Sequence, residues 1–126
     1  MSCVAKWRLS MSELILPLPP SANSYQKWTG RKWVWTVRAL TFKRDCSRLV
    51  PQVIPKPLLG RIGVEIEYYA KDKRSRDLDN LLKCLCDSLQ GLAYENDSQV
   101  DEIRIVRREI EPPGKLVVQI EELKIL

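Results

Sequence analysis

The segment from Arg61 to Gln90 constrains the fold most, because it holds the clearest strand and the clearest helix of the chain. Apolar side chains alternate along residues 61–69, which is the pattern of a half-buried strand. Asn80 is a suitable N-cap for a helix that runs to about Gln90, and Gly91 is a suitable residue to end it. The apolar stripe of this helix consists of Leu82, Leu85, Cys86 and Leu89. A sheet packed against a helix is therefore expected.

Four further elements are predicted on either side of this unit. A strand covers Glu13 to Pro17, and a helix capped by Thr36 runs to Val50 with an apolar stripe. Two final strands cover Glu102 to Ile110 and Lys115 to Glu122, and the turn-forming residues between them predict a hairpin. The chain is thus expected to be an α+β protein with a mixed β-sheet and two helices, in the order β-α-β-α-β-β.

Residues 1–10 show no periodicity, so we expect a disordered extension or an alternative translation start there. Residues 11–126 then form a single domain, since a chain of 126 residues has room for one compact core. The longest apolar runs are too short to cross a bilayer, and the first residues lack the apolar stretch of a signal peptide. The sequence predicts a soluble, cytoplasmic protein that does not enter a membrane.

The residue types exclude several kinds of active site. The sequence contains no histidine, which removes imidazole bases and the nucleophile systems that depend on them. Its four cysteines form no Cys-x-x-Cys pair, so we expect them to pack as small apolar side chains. Any bound metal ion must be held mainly by oxygen atoms.

The net charge of +5 is unevenly distributed along the chain. Residues 1–60 hold 10 basic and 2 acidic side chains, whereas residues 61–126 hold 11 basic and 14 acidic ones. The basic half suits a phosphate backbone, although many domains carry such charge as an ordinary solvated surface. Charge alone therefore favours nucleic-acid binding only weakly.

Three aspartates lie in two short polar motifs, RDLDNLLK at 76–83 and YENDSQV at 94–100. Asp77 and Asp79 would share one face of an extended segment, and Asp97 lies where the chain could return after the helix. Three convergent carboxylates in a basic protein predict a site for a hard divalent cation that acts on a nucleic-acid phosphate. Lys83, in the first helical turn, could neutralise phosphate charge or orient water.

A structural interpretation stays open for the same residues. Asp77 and Asp79 could cap the helix that begins near Asn80, and Lys83 could pair with Asp87 one turn later. Capping needs only one acceptor, however, and it gives no function to Asp97.

The order and spacing of three motifs resemble the RusA family of Holliday-junction resolvases, small endodeoxyribonucleases that prophages often carry. The motifs are PPSANSY at 19–25, RDLDNLLK at 76–83 and NDSQV at 96–100. The resemblance covers residues 13–122 and implies a homodimer that binds branched DNA and resolves four-way junctions by paired symmetric nicks, with Mg²⁺ as cofactor and Mn²⁺ as a substitute. It implies that Asp77, Asp79 and Asp97 bind the metal and act in catalysis, and that Lys83 is catalytic.

One position departs from the family pattern. Some members have two consecutive acids where this chain has Asn96 followed by Asp97. Asn96 can form hydrogen bonds but cannot supply the extra charge. The three matched aspartates remain, so activity is still expected.

Several other residues are candidates for DNA binding. They are Lys71, Lys73, Arg74, Arg76, Arg31, Lys32, Asn23 and Tyr25. The first four directly precede the aspartates and are the preferred phosphate contacts, with a solvated loop as the alternative. Arg31 and Lys32 lie among tryptophans 28, 33 and 35, which could stack on exposed bases or serve as core or dimer-contact residues. Asn23 and Tyr25 belong to the first motif of the resemblance.

A rival hypothesis comes from a different class of protein. The chain could recognise branched DNA without cutting it, and its carboxylate cluster would then be structural. Both hypotheses predict salt-dependent junction binding, and only the enzyme predicts metal-dependent nicks.

Overall fold

The computed structural model describes the backbone of residues 6–125 and the side chains of residues 12–123. Its elements are β1 (Lys6–Leu16), β2 (Gln26–Trp28), β3 (Trp33–Trp35), α1 (Val37–Leu49), β4 (Arg61–Tyr69), α2 (Leu82–Leu89), β5 (Val100–Arg107) and β6 (Lys115–Ile125). Short 3-10 turns cover residues 50–52, 78–81 and 97–99. The two helices and the longer strands follow the predicted order, and the α+β class is confirmed.

The four long strands form one mixed sheet in the order β1-β6-β4-β5. β4 pairs with β6 in antiparallel fashion and with β5 in parallel fashion, while β1 pairs with β6 in antiparallel fashion. Because parallel neighbours require a crossover connection, the chain passes through α2 between β4 and β5. The helix therefore begins near the end of β4 and finishes near the start of β5.

The core combines one side of β1, β6 and β4 with the inner faces of both helices. The predicted alternation along β4 is confirmed, because Ile62, Val64, Ile66 and Tyr68 are all buried. The predicted cap of α1 is also confirmed, since the Thr36 hydroxyl accepts a hydrogen bond from the Ala39 N–H at 3.3 Å. α1 buries Ala39, Phe42 and Cys46, and α2 buries Cys84, Leu85, Ser88 and Leu89.

The predicted hairpin between the last two strands is wrong. β5 and β6 lie on opposite sides of β4, so β4 separates them. The connection follows the end of β4, where Arg108 N–H donates to the Tyr68 carbonyl and Glu111 N–H donates to the Ala70 carbonyl, each at 2.8 Å. Proline and glycine mark a chain reversal, but they do not show whether another strand lies between the two strands that it joins.

The first strand is longer than predicted. It begins at Lys6, because β6 continues to Ile125 and supplies a backbone partner for β1 as far as Lys6. Residues 6–10 therefore belong to the sheet, which corrects the predicted extension over 1–10. Residues 1–5 lie outside the described residues.

The start of α2 also differs from the prediction. Asn80 lies inside the 3-10 turn at 78–81, and Asp77 is the N-cap of that turn. A 3-10 turn has three residues per turn, so its side chains point in different directions from those of an α-helix. The buried face of α2 is therefore rotated from the predicted stripe, and Leu82 and Cys86 are only half-buried. Gly91 follows the helix with a φ of +87°, which agrees with the predicted end. No helix in the described range is long and apolar enough to span a bilayer.

The packing of the connection between β5 and β6 can be tested at Gly114. Gly114 has a φ of +90°, and a Cβ there would lie 2.3 Å from Leu18 Cδ1. Gly91 has a similar φ of +87° but no atom within 4 Å of the corresponding position. We predict that Gly91→Ala costs about 1–2 kcal/mol of unfolding free energy from backbone strain, and that Gly114→Ala costs about 1–3 kcal/mol more from overpacking. Urea unfolding measures both values, and equal losses would contradict the packing described.

Candidate active site

A carboxylate–guanidinium pair orders the loop between β4 and the first two aspartates. Arg76 Nη1 donates to Asp72 Oδ1 at 2.7 Å and Arg76 Nη2 donates to Asp72 Oδ2 at 3.2 Å. These hydrogen bonds, with a further one from the Arg74 N–H, lower the pKa of Asp72 to about 2. Arg107 at the end of β5 donates to the Arg76 carbonyl at 2.6 Å. The loop is thus tied to the end of the sheet where β4 and β5 finish.

Asp77 and Asp79 follow this loop, and both are exposed. Asp77 has an extended backbone, whereas Asp79 lies inside the 3-10 turn, so the two do not form the extended pair that was predicted. The Asp77 side chain makes no capping hydrogen bond within the described chain. The capping interpretation therefore gives Asp77 no side-chain function.

Lys83 lies in the first turn of α2, with Nζ 3.4 Å from Asp87 Oδ1. The ion pair of the structural interpretation is therefore present, although Lys83 itself is exposed. The charge of Asp87, followed by its hydrogen bond, raises the pKa of Lys83, and Tyr25 and Asp97 contribute in the same direction. The Lys83 ammonium group thus remains charged at neutral pH, within the electrostatic influence of Asp97.

Tyr25 contacts the Lys83–Asp87 ion pair through Asp87. Its hydroxyl donates to Asp87 Oδ2 at 3.2 Å, and its ring packs edge-on against Trp35 with centroids 5.7 Å apart. Burial, followed by Asp87, raises the pKa of Tyr25, so the phenol keeps the proton that it donates. Only 6% of Tyr25 is exposed, so little of this side chain is available for its predicted contact with DNA. Its hydroxyl also holds Asp87 in place.

Asp97 opens a short turn that is held by two side-chain amides. Asn96 Oδ1 accepts from the N–H of Ser98 at 2.9 Å, and Gln99 Oε1 accepts from the N–H of Asn96 at 2.9 Å, which forms a reciprocal capping box. Gln99 Nε2 also donates to two carbonyls in the segment before β4, each at 2.9 Å. These bonds fix the turn and leave Asp97 exposed at its first position.

The two acidic motifs lie at opposite ends of α2. The first is tied to the end of β5 through Arg107, whereas the carbonyl of Ser98 accepts a 2.8 Å hydrogen bond from Arg61 at the start of β4. The helical residues 80–89 that follow Asp79 correspond to roughly 16 Å at the rise of 3-10 and α-helices.

This separation corrects a prediction. No three aspartate, glutamate, cysteine or histidine side chains in the described part of the chain are grouped so that they could hold a metal ion. The expected convergence of Asp77, Asp79 and Asp97 is therefore not found within one copy of the chain. The expectation of convergence treated the helix as a return path and neglected its length, whereas the assignment of the three aspartates as metal ligands stays a prediction.

The chemistry of the available donors nevertheless fits a hard cation. The exposed aspartates offer oxygen atoms, and the sequence has no histidine. Burial raises the pKa of Cys46 to about 12 and that of Cys84 to about 11, so both thiols stay protonated and are poor ligands. The aspartates thus suit Mg²⁺ or Mn²⁺ better than a thiolate-seeking metal ion.

A cleft of about 880 Å³ adjoins the first acidic motif. It lies between the segment after β1, helix α1 and the loop that precedes α2. Its charged lining residues are Arg38, Asp45, Lys71, Arg74, Arg76 and Asp77. The lining holds four cations and two carboxylates, so the cleft carries a net positive charge. This charge suits the binding of a phosphate backbone close to Asp77.

The remaining candidates for DNA binding occupy two exposed regions. Lys71, Lys73 and Arg74 are exposed on the loop before Asp77, whereas Arg76 is half-buried and paired with Asp72. The second region is exposed as well. It consists of Arg31 and Lys32 on the connection between β2 and β3, and of Asn23 just before β2. The loop thus offers its first three cations to a partner, and Arg76 mainly orders it.

Sequence reasoning named Asp87 as a possible partner of Lys83 from its i+4 spacing, but missed two other structural contributors. Gln99 could have been recognised from its capping-box spacing to Asn96. No sequence signal connects Arg107 with the distant loop that it anchors.

Comparison with known proteins gives the class of this fold and site. The family described as "Endodeoxyribonuclease RusA" matches residues 17–121. The chain is 32% identical over 114 residues to the crossover junction endodeoxyribonuclease rusA of Enterobacteria phage HK97. This alignment covers 89% of this chain and 95% of that relative. The chain is 28% identical over 112 residues to the crossover junction endodeoxyribonuclease RusA of Escherichia coli strain K12. That alignment covers 87% of this chain and 93% of the relative.

The class defined by fold and site is therefore an endodeoxyribonuclease. The matched range contains all three motifs of the sequence analysis and both ends of α2. The chain belongs to the RusA family. Nucleases of this family generally depend on divalent metal ions.

The turn that carries Asp97 can be tested through Asn96. Asn96→Asp keeps the side-chain acceptor, so we predict a change in unfolding free energy of less than about 0.5 kcal/mol, whereas Asn96→Ala removes the cap and should cost about 1 kcal/mol. Urea unfolding at neutral pH measures both. A fully stable Asn96→Ala variant would show that the amide does not hold this turn.

Proposed function

We propose that this protein is a divalent-metal-dependent endonuclease that resolves four-way DNA junctions by paired symmetric nicks. The family match carries the proposal, and the matched range, residues 17–121, contains Asp77, Asp79, Lys83 and Asp97. The exposure of the three aspartates agrees with it, since buried or fully paired carboxylates could not reach a phosphate. The cationic lining of the adjoining cleft gives the DNA backbone a place beside Asp77.

Asp77, Asp79 and Asp97 would hold the metal ion, for which Mg²⁺ is the proposed cofactor and Mn²⁺ a substitute. When bound, such an ion supplies charge to stabilise the reacting phosphate and lowers the pKa of water. The chain's own contribution is to keep the carboxylates exposed on two fixed elements. The Asp72–Arg76 pair orders one of these elements, and the Asn96–Gln99 capping box orders the other.

Lys83 is the proposed electrostatic catalyst. Its ammonium group is charged at neutral pH and is held by Asp87, which in turn accepts from buried Tyr25. The weak, exposed ion pair leaves the lysine able to exchange Asp87 for a phosphate oxygen. In this position Lys83 would offset negative charge that develops on the phosphate during cleavage.

A homodimer is part of the proposal, and the separation of the aspartates supports it. One copy holds Asp77 and Asp79 at one end of α2 and Asp97 at the other. A two-fold dimer could place the first two beside the partner's Asp97, and symmetry would create the same arrangement twice. Two equivalent sites would also match the two strands that must be nicked in a four-way junction.

The rival function is non-catalytic recognition of branched DNA. The lack of a preassembled group of metal ligands within the described residues is the observation that favours it. It would leave the cationic surfaces intact and give the aspartates no chemical function.

Incubation with an end-labelled mobile four-way junction, with and without Mg²⁺, separates the two functions. The resolvase should produce symmetric nicks that DNA ligase can seal, only when the metal is present and much less on linear duplex. Junction binding without nicks under any divalent metal would overturn the resolvase and support the rival.

Replacing single metal-binding aspartates should separate cleavage from binding. We predict that Asp77→Asn, Asp79→Asn and Asp97→Asn each nearly abolish cleavage and keep or improve junction affinity, because each removes a metal ligand and a charge that repels phosphate. Asp45→Asn, on the far side of the cleft, is the matched control and should cleave normally. Gel assays of binding and of nicking measure the two effects. Full cleavage by any of the three variants would remove that residue from the mechanism.

Lys83 and the basic loop should differ in which step they affect. We predict that Lys83→Ala lowers the cleavage rate of bound junction by a factor on the order of a hundred and hardly changes affinity. The double variant Lys73→Ala and Arg74→Ala should instead weaken binding and reduce the salt dependence by roughly one unit of slope per lost phosphate contact. Single-turnover cleavage at saturating protein and titrations at several salt concentrations give both values. An unchanged saturated rate for Lys83→Ala would make it a binding residue.

A further inference from the structure

The two short strands β2 and β3 form a hairpin whose tip carries exposed aromatic rings. Trp28 and Trp33 are directly paired across the strands, and their ring centroids lie 5.7 Å apart. Trp28 is 55% exposed and Trp33 is 63% exposed. Such exposure is unusual for the largest apolar side chain, because each ring leaves much of its surface in water.

The base of the hairpin is anchored, which distinguishes it from the tip. Trp35 packs against Tyr25 and lies under the Lys43 ammonium group at 4.8 Å. The Thr36 N–H donates to the Tyr25 carbonyl at 3.0 Å. These contacts join the hairpin to α1 and to the buried Tyr25. Trp35 therefore belongs to the packed part of the protein, whereas Trp28 and Trp33 at the tip are largely exposed.

The tip itself has a defined turn. The Thr29 N–H donates to the Lys32 carbonyl at 3.1 Å, and Gly30 has a φ of +93°. Positive φ at the first central residue is the requirement of a tight hairpin turn. The turn places Arg31 and Lys32 between the two tryptophans along the chain, and both cations are exposed.

The charge around the hairpin indicates which kind of surface it can bind. The sequence contains no acidic residue between Glu13 and Asp45, while the same interval holds Lys27, Arg31, Lys32, Arg38, Lys43 and Arg44. A polyanion is therefore the complementary surface. A two-fold contact between two copies of this hairpin would instead place like charges against each other.

We propose that the hairpin tip is an aromatic wedge that stacks Trp28 and Trp33 on bases whose faces are unstacked at the branch point of DNA, while Arg31 and Lys32 hold the neighbouring phosphates. Base–aromatic stacking tolerates any sequence, because every base has a π-face. The wedge thus contributes preference for branched over linear DNA without reading sequence. This inference rests on the proposed junction-resolving function and assigns the recognition of branch structure to residues outside the metal site.

The test uses the full chain with EDTA, so that no cleavage occurs, and a four-way junction that carries 2-aminopurine beside the branch point. The variants are Trp28→Ala, Trp33→Ala and Trp33→Phe, with Leu59→Ala as a control for losing an apolar side chain that is 75% exposed. Affinity for junction and for linear duplex, the salt slope and the 2-aminopurine fluorescence are measured for each. Sedimentation reports the oligomeric state.

We expect each Trp→Ala variant to lose about tenfold in junction affinity, which is the scale for removing one base–aromatic stack. Linear duplex binding and the salt slope should not change, because no phosphate contact is removed. The fluorescence change on binding should fall in the Trp→Ala variants, and Trp33→Phe should retain most of the affinity. Leu59→Ala should behave as the unmodified protein.

Three outcomes would overturn the wedge. A loss of affinity that accompanies dissociation of a dimer would make the tip a contact between copies. If the unmodified protein cuts junctions but the Trp→Ala variants bind and unstack them equally well, only the wedge fails. If the unmodified protein shows neither nicking nor preference for branched DNA, the proposed function fails and the wedge fails with it.

Discussion

The parallel pairing of β4 with β5 is the constraint on which the arrangement of the molecule depends. A parallel pair cannot be closed by a tight turn, so the chain must cross the length of the sheet between the two strands. Helix α2 makes this crossing and buries one face against the core. The crossing carries one acidic motif to each end of the helix. The same backbone rule that makes the core compact therefore keeps the aspartates apart.

Hydrogen bonds then make each end of α2 a fixed platform. Arg76 closes the first loop onto Asp72, and Gln99 closes the second turn onto the segment before β4. Both platforms leave their aspartates exposed, and Lys83 lies between them on the helix. If the three aspartates bind one metal ion, as proposed, the complete site would have to be assembled from two copies of the chain. A two-fold symmetric dimer would meet this need and would match the symmetry of a four-way junction.

Local patterns could be predicted from the sequence, whereas long-range partners could not. The alternation along β4 and the Thr36 cap both depend on neighbouring residues, and both are confirmed. The hairpin assigned to β5 and β6 failed because the neighbour of each strand is chosen by β4, which lies far away in sequence. The site residues were named from motifs, but burial of Tyr25 beneath Asp87 and the exposure of Trp28 and Trp33 depend on packing that no motif encodes. The separation of the aspartates depends on the direction of the crossover and was likewise beyond a local pattern.

Mixing two inactive variants tests the proposed two-copy site most directly. Asp79→Asn and Asp97→Asn would be unfolded together, refolded as a mixture and assayed with a four-way junction and Mg²⁺. If Asp79 and Asp97 act across two copies, each mixed dimer regains one site with both aspartates, and the mixture should recover about a quarter of the unmodified nicking activity. If both act within one copy, every site lacks one aspartate. A mixture as inactive as either variant alone, with mixed dimers shown to form, would contradict the account.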